Sequence, residues 1–145
     1  MASCAVYYRR GKVYVVSSSI TVNLLWVEIG PTYKVESAVP EEIGNAVMTA
    51  LRESKKAVPD SSIDFREVQK NLLRSIGAKS WSEVVRTFAR ASVEHDGRQL
   101  VIQKHRAGES KAFYPEGREL VCQDASPCGV GTALIAALTE LDPGQ

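Results

Sequence analysis

Two histidines and two cysteines in the C-terminal half of the sequence carry the side chains with the widest range of possible chemistry. The imidazoles of His95 and His105 can transfer protons near neutral pH, and the thiols of Cys122 and Cys128 can bind metal. A zinc site, however, usually needs two closely spaced ligand pairs, such as two cysteines about two to four residues apart. Neither pair has that spacing. We therefore predict that the chain holds no metal ion and needs no cofactor.

Catalysis by the same side chains requires a nucleophile and a base that lie close together. Cys128 lies in the first turn of a predicted helix, where the helix dipole lowers the pKa of a thiol. His95 adjoins the Asp96-Gly97 turn, however, and His105 lies in a basic run at a strand end, where polar residues are commonly solvated. We predict no catalytic residue and no enzymatic activity. The alternative is a small hydrolase or nuclease that uses His95, His105 or Cys128.

Length and composition describe a folded chain with balanced charge. The sequence has 145 residues, 44% hydrophobic and 24% charged, and its formal net charge is +1. A chain of this length is typical of one domain, so we predict a single domain over residues 1–145. The balanced charge argues against direct binding of nucleic acid, because dedicated nucleic-acid-binding domains are usually strongly basic. The corresponding alternative, a nucleic-acid-binding module, would use the basic side chains of Arg9, Arg10, Lys12, Lys104 and Arg106.

The sequence also bears on where the protein works. Its first ten residues do not combine a basic region with the longer apolar stretch of a secretory signal. Its apolar runs are shorter than the roughly 20 residues that a membrane-spanning helix needs. Three cysteines are an odd number and too few for a disulfide framework. We therefore expect a cytoplasmic protein with no membrane contact. The oligomeric state is left open.

The first half of the sequence predicts strands followed by helices. Strands are expected over residues 5–8 and 13–17 around a turn at Gly11, over 20–29, and over 33–36. A first helix begins at Pro40, and its Gly44 suggests a close contact with the sheet. A second helix ends at Gly77, and a capping box formed by Ser80 and Glu83 begins a third.

The last third of the sequence predicts a meander and one more helix. Strands over residues 92–95 and 98–105 flank the Asp96-Gly97 turn, and strands over 112–114 and 118–123 flank a second turn. Pro127 begins the final helix, in which glycines would allow close approach to the sheet, and residues 142–145 end it. The order of elements predicts an α+β fold, a single-domain sandwich with helices packed on a mostly antiparallel sheet.

This arrangement resembles a known protein family. It comprises the strand segment Val13-Tyr14-Val15-Val16, the helix pattern from Glu42-Ile43-Gly44-Asn45-Ala46-Val47 to Ser54, the Trp81 helix, the closing meander and the C-terminal helix. Together these parts are similar to the immunity proteins of bacterial contact-dependent growth inhibition (CDI) systems. The resemblance implies a cytoplasmic protein without catalytic residues that binds and blocks the C-terminal toxin domain of its cognate effector. It also implies that this toxin is commonly a nuclease.

A nuclease toxin is expected to be basic where it meets phosphate, so acidic side chains are the natural contacts of its inhibitor. The near-neutral pI of about 7.7 argues against simple mimicry of nucleic acid and favours a mixed interface with Arg or aromatic anchors. We predict that five acidic residues contact the toxin: Asp60, Asp64, Glu67, Glu94 and Asp96.

Overall fold

A computed structural model describes residues 1–37 and 39–141. These residues form seven strands, four helices and a short 3-10 helix, Asp60–Ser62. The strands are β1 (Ala2–Arg9), β2 (Lys12–Ile20), β3 (Trp26–Val27), β4 (Thr32–Glu36), β5 (Ala89–His95), β6 (Leu100–Ala107) and β7 (Phe113–Val121). The helices are α1 (Pro40–Arg52), α2 (Phe65–Ile76), α3 (Trp81–Thr87) and α4 (Pro127–Leu141).

All strand pairs in the sheet are antiparallel. The strand order is β3-β2-β1-β5-β6-β7, and β4 also pairs with β2, along residues 12–16, beside β3. The β1–β2 hairpin turns at Arg10 and Gly11, whose φ angles of 52° and 79° lie in the left-handed region that a tight hairpin requires. The sequence-based prediction of an α+β fold with helices packed on a mostly antiparallel sheet is confirmed.

Helices α1 and α4 cover one face of the sheet. Their apolar side chains, including Ile43, Val47 and Leu134, pack on Val6 and Val93 of the two central strands. The two helices also touch each other at glycine. A Cβ at Gly44 would lie 1.8 Å from the carbonyl oxygen of Pro127, and one at Gly131 would lie 1.8 Å from that of Pro40. The prediction that these glycines approach the sheet is therefore wrong, because the close neighbour is the other helix.

Helices α2 and α3 lie on the opposite face, called here the α2 face. Leu72 and Ile76 of α2 and Val84 of α3 pack on Tyr7 and Tyr14. Asp64 begins α2 by accepting hydrogen bonds from two backbone amides, and Gly77 ends it with φ 73°. Ser80 accepts from the amide of Glu83 at the start of α3, as predicted. Glu83 accepts from the amide of Lys79, one residue before the capping residue.

The prediction of one strand over residues 20–29 is wrong, because only Ile20, at the end of β2, and Trp26–Val27, which form β3, lie in strands. Strand β2 ends at Ile20, and the chain turns at Thr21, whose amide donates to the carbonyl of Leu25 and whose hydroxyl accepts from the Leu25 amide. Leu24 is in this turn with φ 64°, and its side chain is 77% exposed. The apolar side chains of the turn, Val22, Leu24 and Leu25, therefore face solvent, although the sequence pattern predicts a strand covered on both sides.

The second predicted turn of the C-terminal meander is also wrong. Residues 113–121 form one strand, β7, with a bulge near Gly117. The bulge accommodates the residues of β7 that have no partner in β6. The partner of Lys104 is Glu116, whereas the partner of Ile102 is Leu120. Helix α4 begins at Pro127 as predicted, and its predicted end at residues 142–145 lies outside the described residues. No helix in the described parts of the chain is long and apolar enough to cross a bilayer.

Candidate binding cavity

A cavity of about 580 Å³ opens on the α2 face of the sheet. Strands β1, β2 and β5 form its floor, and α2, β3 and the start of β7 form its walls. The side chains that matter for its chemistry are those of Ser3, Ser18, Trp26, Glu28, Phe65, Trp81, Arg90, Ser92, Glu94, His105 and Phe113.

The cavity exists because small residues occupy two successive cross-strand rows of the sheet. One row places Ser18 opposite Ser3, and Ser3 opposite Glu94. The next row places Val16 opposite Ala5, and Ala5 opposite Ser92. Side chains opposite each other in an antiparallel sheet lie on the same face, so the three serines and Ala5 in these rows leave a hollow.

The third row is bulky and closes one end of the hollow. It runs from Tyr14 to Tyr7, Arg90 and His105 across four adjacent strands. The Tyr7 ring meets that of Phe88 edge-on, with centroids 6.4 Å apart. Helices α2 and α3 pack against this row, and the hollow therefore ends where the row begins.

At this closed end, an ionic and hydrogen-bonded network joins Glu28, which follows β3, to residues of β1, β5 and β6. The guanidinium of Arg90 donates to Glu28 Oε1 at 2.5 Å and to the Tyr7 hydroxyl at 3.2 Å. Tyr7 in turn donates to the Glu28 carboxylate, with its hydroxyl 2.7 Å from Oε2. Arg90 Nη1 lies 2.5 Å from His105 Nδ1, and because a guanidinium can only donate, that nitrogen accepts.

The local electrostatics fix the protonation states of the network. Burial, together with the neighbouring Glu28 carboxylate, raises the pKa of Tyr7, which therefore stays a neutral phenol. Burial alone would lower the pKa of Arg90, but Glu28 and Tyr7 outweigh it, and the pKa is raised. Burial and the adjacent Arg90 lower the pKa of His105 to about 4, so its imidazole is neutral near pH 7.

Aromatic side chains form much of the cavity wall. Trp81 and Phe113 meet edge to face with centroids 5.9 Å apart, and the Trp81 indole donates to the carbonyl of Lys111 at 2.9 Å. Phe65, at the start of α2, is 50% exposed. The turn over residues 21–25, which precedes Trp26 in the sequence, carries further exposed apolar side chains outside the cavity lining, including Leu24. The mouth of the cavity therefore presents the exposed apolar ring of Phe65.

The predicted acidic residues have different environments. Glu94 is half-buried and lines the cavity, where burial and the nearby Glu119 raise its pKa. Asp64 caps α2, and Asp96 accepts from two amides in its turn, which lower its pKa. Asp60 accepts from the side-chain amide of Asn23 at 3.0 Å. The remaining residue, Glu67, lies exposed in the first turn of α2.

The histidines and Cys128 do not form one site. His105 faces the cavity, whereas Cys128 lies in the first turn of α4 on the other face and lines a separate groove with Cys122. His95 Nδ1 accepts from the amide of Gly97 in the β5–β6 turn. Within residues 1–37 and 39–141, no group of three or more His, Cys, Asp or Glu side chains is placed to hold a metal ion.

Several of the basic residues considered for nucleic-acid contact are paired with carboxylates. Arg9 bonds to Glu83 at 3.3 Å and lies over the ring of Phe88. Lys104 pairs with Glu140, and Arg106 pairs with Glu116. These pairs leave less positive charge available to phosphates than the sequence suggests.

Sequence analysis named Glu94 and His105 but missed Arg90 and Glu28, which form the ion pair at the closed end of the cavity. Its strand prediction began at Ser92, whereas β5 begins at Ala89, so Arg90 was not assigned to a strand. The alternation of Ala89, Ala91 and Val93 with Arg90, Ser92 and Glu94 was the available signal, since it marks one apolar and one polar face. Nothing in the sequence pairs Glu28 with Arg90.

Comparison with known proteins relates this fold to solved structures. No protein-family model matches the sequence, and no curated protein matches it significantly. A protein of unknown function from Neisseria meningitidis superposes with a TM-score of 0.73 at 18% identity, over 96% of this chain and 94% of that one. A chain of the CdiA-CT/CdiI toxin and immunity complex from Yersinia pseudotuberculosis superposes with a TM-score of 0.74 at 16% identity, over 97% of both chains. The resemblance to CDI immunity proteins is thereby confirmed as a likeness of fold.

Proposed function

We propose that this chain is an immunity protein that binds and neutralises the C-terminal toxin domain of a cognate CDI effector, and that it does so in the cytoplasm. The observation that carries the proposal is the superposition on a chain of a toxin and immunity complex over nearly the whole of both molecules. The resemblance stated from the sequence supports the same function independently of that superposition.

The cavity is the surface on which we place the contact. It combines the exposed apolar ring of Phe65 at its mouth with polar groups on its floor, a composition suited to the anchored, specific contact of a protein partner. The Arg90–Glu28 network would hold its closed end rigid. A rigid surface loses little conformational entropy on binding, and this favours the tight complex that neutralisation requires.

We further propose that the toxin is a nuclease and that acidic side chains meet its basic surface. The five predicted contacts were Asp60, Asp64, Glu67, Glu94 and Asp96. Of these, Glu94 lines the cavity, and Asp60 and Asp64 flank the segment that leads into Phe65 at its mouth. Attraction between charges of opposite sign would accelerate association with the toxin and select the cognate one.

Protection of cells tests the proposal. The probe is the C-terminal domain of the cognate effector, sought as a large exported protein encoded beside this chain and produced from an inducible promoter with or without this chain. We expect growth to stop with the toxin domain alone and to continue when this chain is co-produced. A matched toxin domain from an unrelated system should still arrest growth, since immunity is specific. Growth arrest by the cognate toxin domain both with and without this chain would contradict the proposed function.

A further inference from the structure

The floor of the cavity carries polar groups that have no partner within the described residues. Ser3 and Ser18 are each 4% exposed, and both line the cavity. Neither hydroxyl takes part in a hydrogen bond with another described residue, although the amide of Ser3 and the carbonyl of Ser18 both bond to Ser54. Because both hydroxyls open onto the cavity, each is free to bond to a polar group that enters from outside.

Glu94 stands beside these hydroxyls and lacks a counter-ion among the described residues. It lies directly opposite Ser3 in the β1–β5 ladder, and Ser3 lies opposite Ser18. The four ion pairs of the described structure do not include it. The charge that acts on it most is that of Glu119, which repels its own. A half-buried carboxylate in this position favours an incoming positive charge.

The walls around Glu94 favour the same kind of occupant. Trp26, Trp81 and Phe65 line the cavity, and aromatic faces attract cations through their quadrupole. The cation already present, Arg90, is held by Glu28 and Tyr7, which leaves the Glu94 carboxylate available.

We propose that Glu94, with the hydroxyls of Ser3 and Ser18, forms a subsite that receives one lysine or arginine side chain of the toxin domain and thereby selects the cognate partner. The inference rests on the proposed function and deepens it. The serine hydroxyls accept hydrogen bonds from the incoming ammonium or guanidinium group, and Glu94 neutralises its charge. A toxin with a neutral or acidic residue at this point leaves Glu94 buried without a counter-ion and is rejected.

The test compares two variants that each remove one carboxylate. Glu94→Gln changes the subsite and keeps the shape of the side chain, whereas Glu41→Gln changes an exposed residue of α1 on the opposite face. Dissociation constants for the cognate toxin domain are measured by calorimetry. We expect Glu94→Gln to weaken binding by about thirty-fold or more, and Glu41→Gln to change it less than about three-fold.

Charge reversal identifies the partner side chain. Each lysine and arginine of the toxin domain is replaced by glutamate, and the variants are titrated with the wild-type chain and with Glu94→Lys. One toxin variant should bind Glu94→Lys more tightly than it binds the wild type, because a pair that is reversed on both sides is restored. Equal affinity of Glu94→Gln and wild type, with no such compensating pair, would overturn the subsite while the proposed function stands.

Failure of the proposed function looks different. If the wild-type chain binds the toxin domain in no measurable way and gives no protection, the function and the subsite both fall. Circular dichroism of each variant shows whether it is folded, so that a loss of affinity is not caused by unfolding.

Discussion

Glu28 and Arg90 are 62 residues apart in the sequence and form an ion pair at the closed end of the cavity. Their side chains are only 16% and 19% exposed, and Tyr7 bonds to both. The pair joins the residue that follows the short strand β3 to the central strand β5. It thereby fixes the segment that carries Trp26 against the rest of the sheet.

We expect Glu28→Gln to destabilise the protein by about 3 kcal/mol, because it leaves the Arg90 guanidinium largely buried without its anion. Replacing both partners, with Glu28→Leu and Arg90→Met, should cost less than the single change. The free energy of unfolding from urea denaturation at pH 7 measures both. A double variant that is less stable than Glu28→Gln would show that the two residues contribute independently.

Stability should fall as the pH is lowered from about 6.5 towards 4. His105 remains neutral in the folded protein down to its lowered pKa of about 4, whereas the unfolded chain takes up the proton near its ordinary value of 6.5. Acid therefore favours the unfolded state over this window. Glu94, whose pKa is raised, acts in the opposite direction as it becomes protonated.

The contribution of His105 is isolated by His105→Asn, whose side-chain oxygen can still accept from Arg90. The drop in urea midpoint between pH 7.5 and pH 4.5 should be smaller in this variant than in the wild type. An equal drop in both proteins would mean that His105 titrates alike in the folded and unfolded states.

Gly44→Ala separates helix propensity from packing. Propensity alone predicts that alanine stabilises α1 by up to about 1 kcal/mol. The carbonyl of Pro127 stands where the new methyl group would go, so we expect a loss of about 2–3 kcal/mol instead. The melting temperature, measured by circular dichroism, decides whether helix propensity or the contact with Pro127 dominates. A raised melting temperature would show that α1 and α4 are not in such close contact.

Glu94→Gln should leave the folded protein as stable as the wild type or make it more stable at pH 7. Burial and Glu119 disfavour the ionised carboxylate in the folded state, and the amide removes that penalty. A gain in melting temperature together with weaker toxin binding would be the signature of a residue kept for recognition. A clear loss of stability would instead assign Glu94 a role in folding.

Local signals in the sequence predicted the helices well. Pro40, Gly77 and Ser80 mark helix ends through backbone chemistry that acts within a few residues, and the structure places them there. The strand after Ile20 was predicted wrongly because an alternating apolar pattern cannot tell a covered strand from a turn stabilised by Thr21. The two differ in tertiary contacts and not in local composition.

The cavity depends on register, which the sequence does not reveal. The serine floor arises because Ser18, Ser3 and Glu94 fall opposite one another across three strands. A shift of one residue in either ladder would move a strand's set of side chains to the other face of the sheet. Five acidic contacts were predicted from charge alone, and only the pairing of β1 with β5 singles out Glu94 as the one that lines the cavity.

The most direct test of the account is a titration of toxin activity. Purified toxin domain at fixed concentration is mixed with increasing amounts of this chain, and its cleavage of nucleic acid is followed. An inhibitor that acts by binding should reduce activity linearly and abolish it at one molecule per toxin. Undiminished cleavage at a several-fold molar excess, or complete inactivation by a small fraction of an equivalent, would contradict neutralisation by stoichiometric binding.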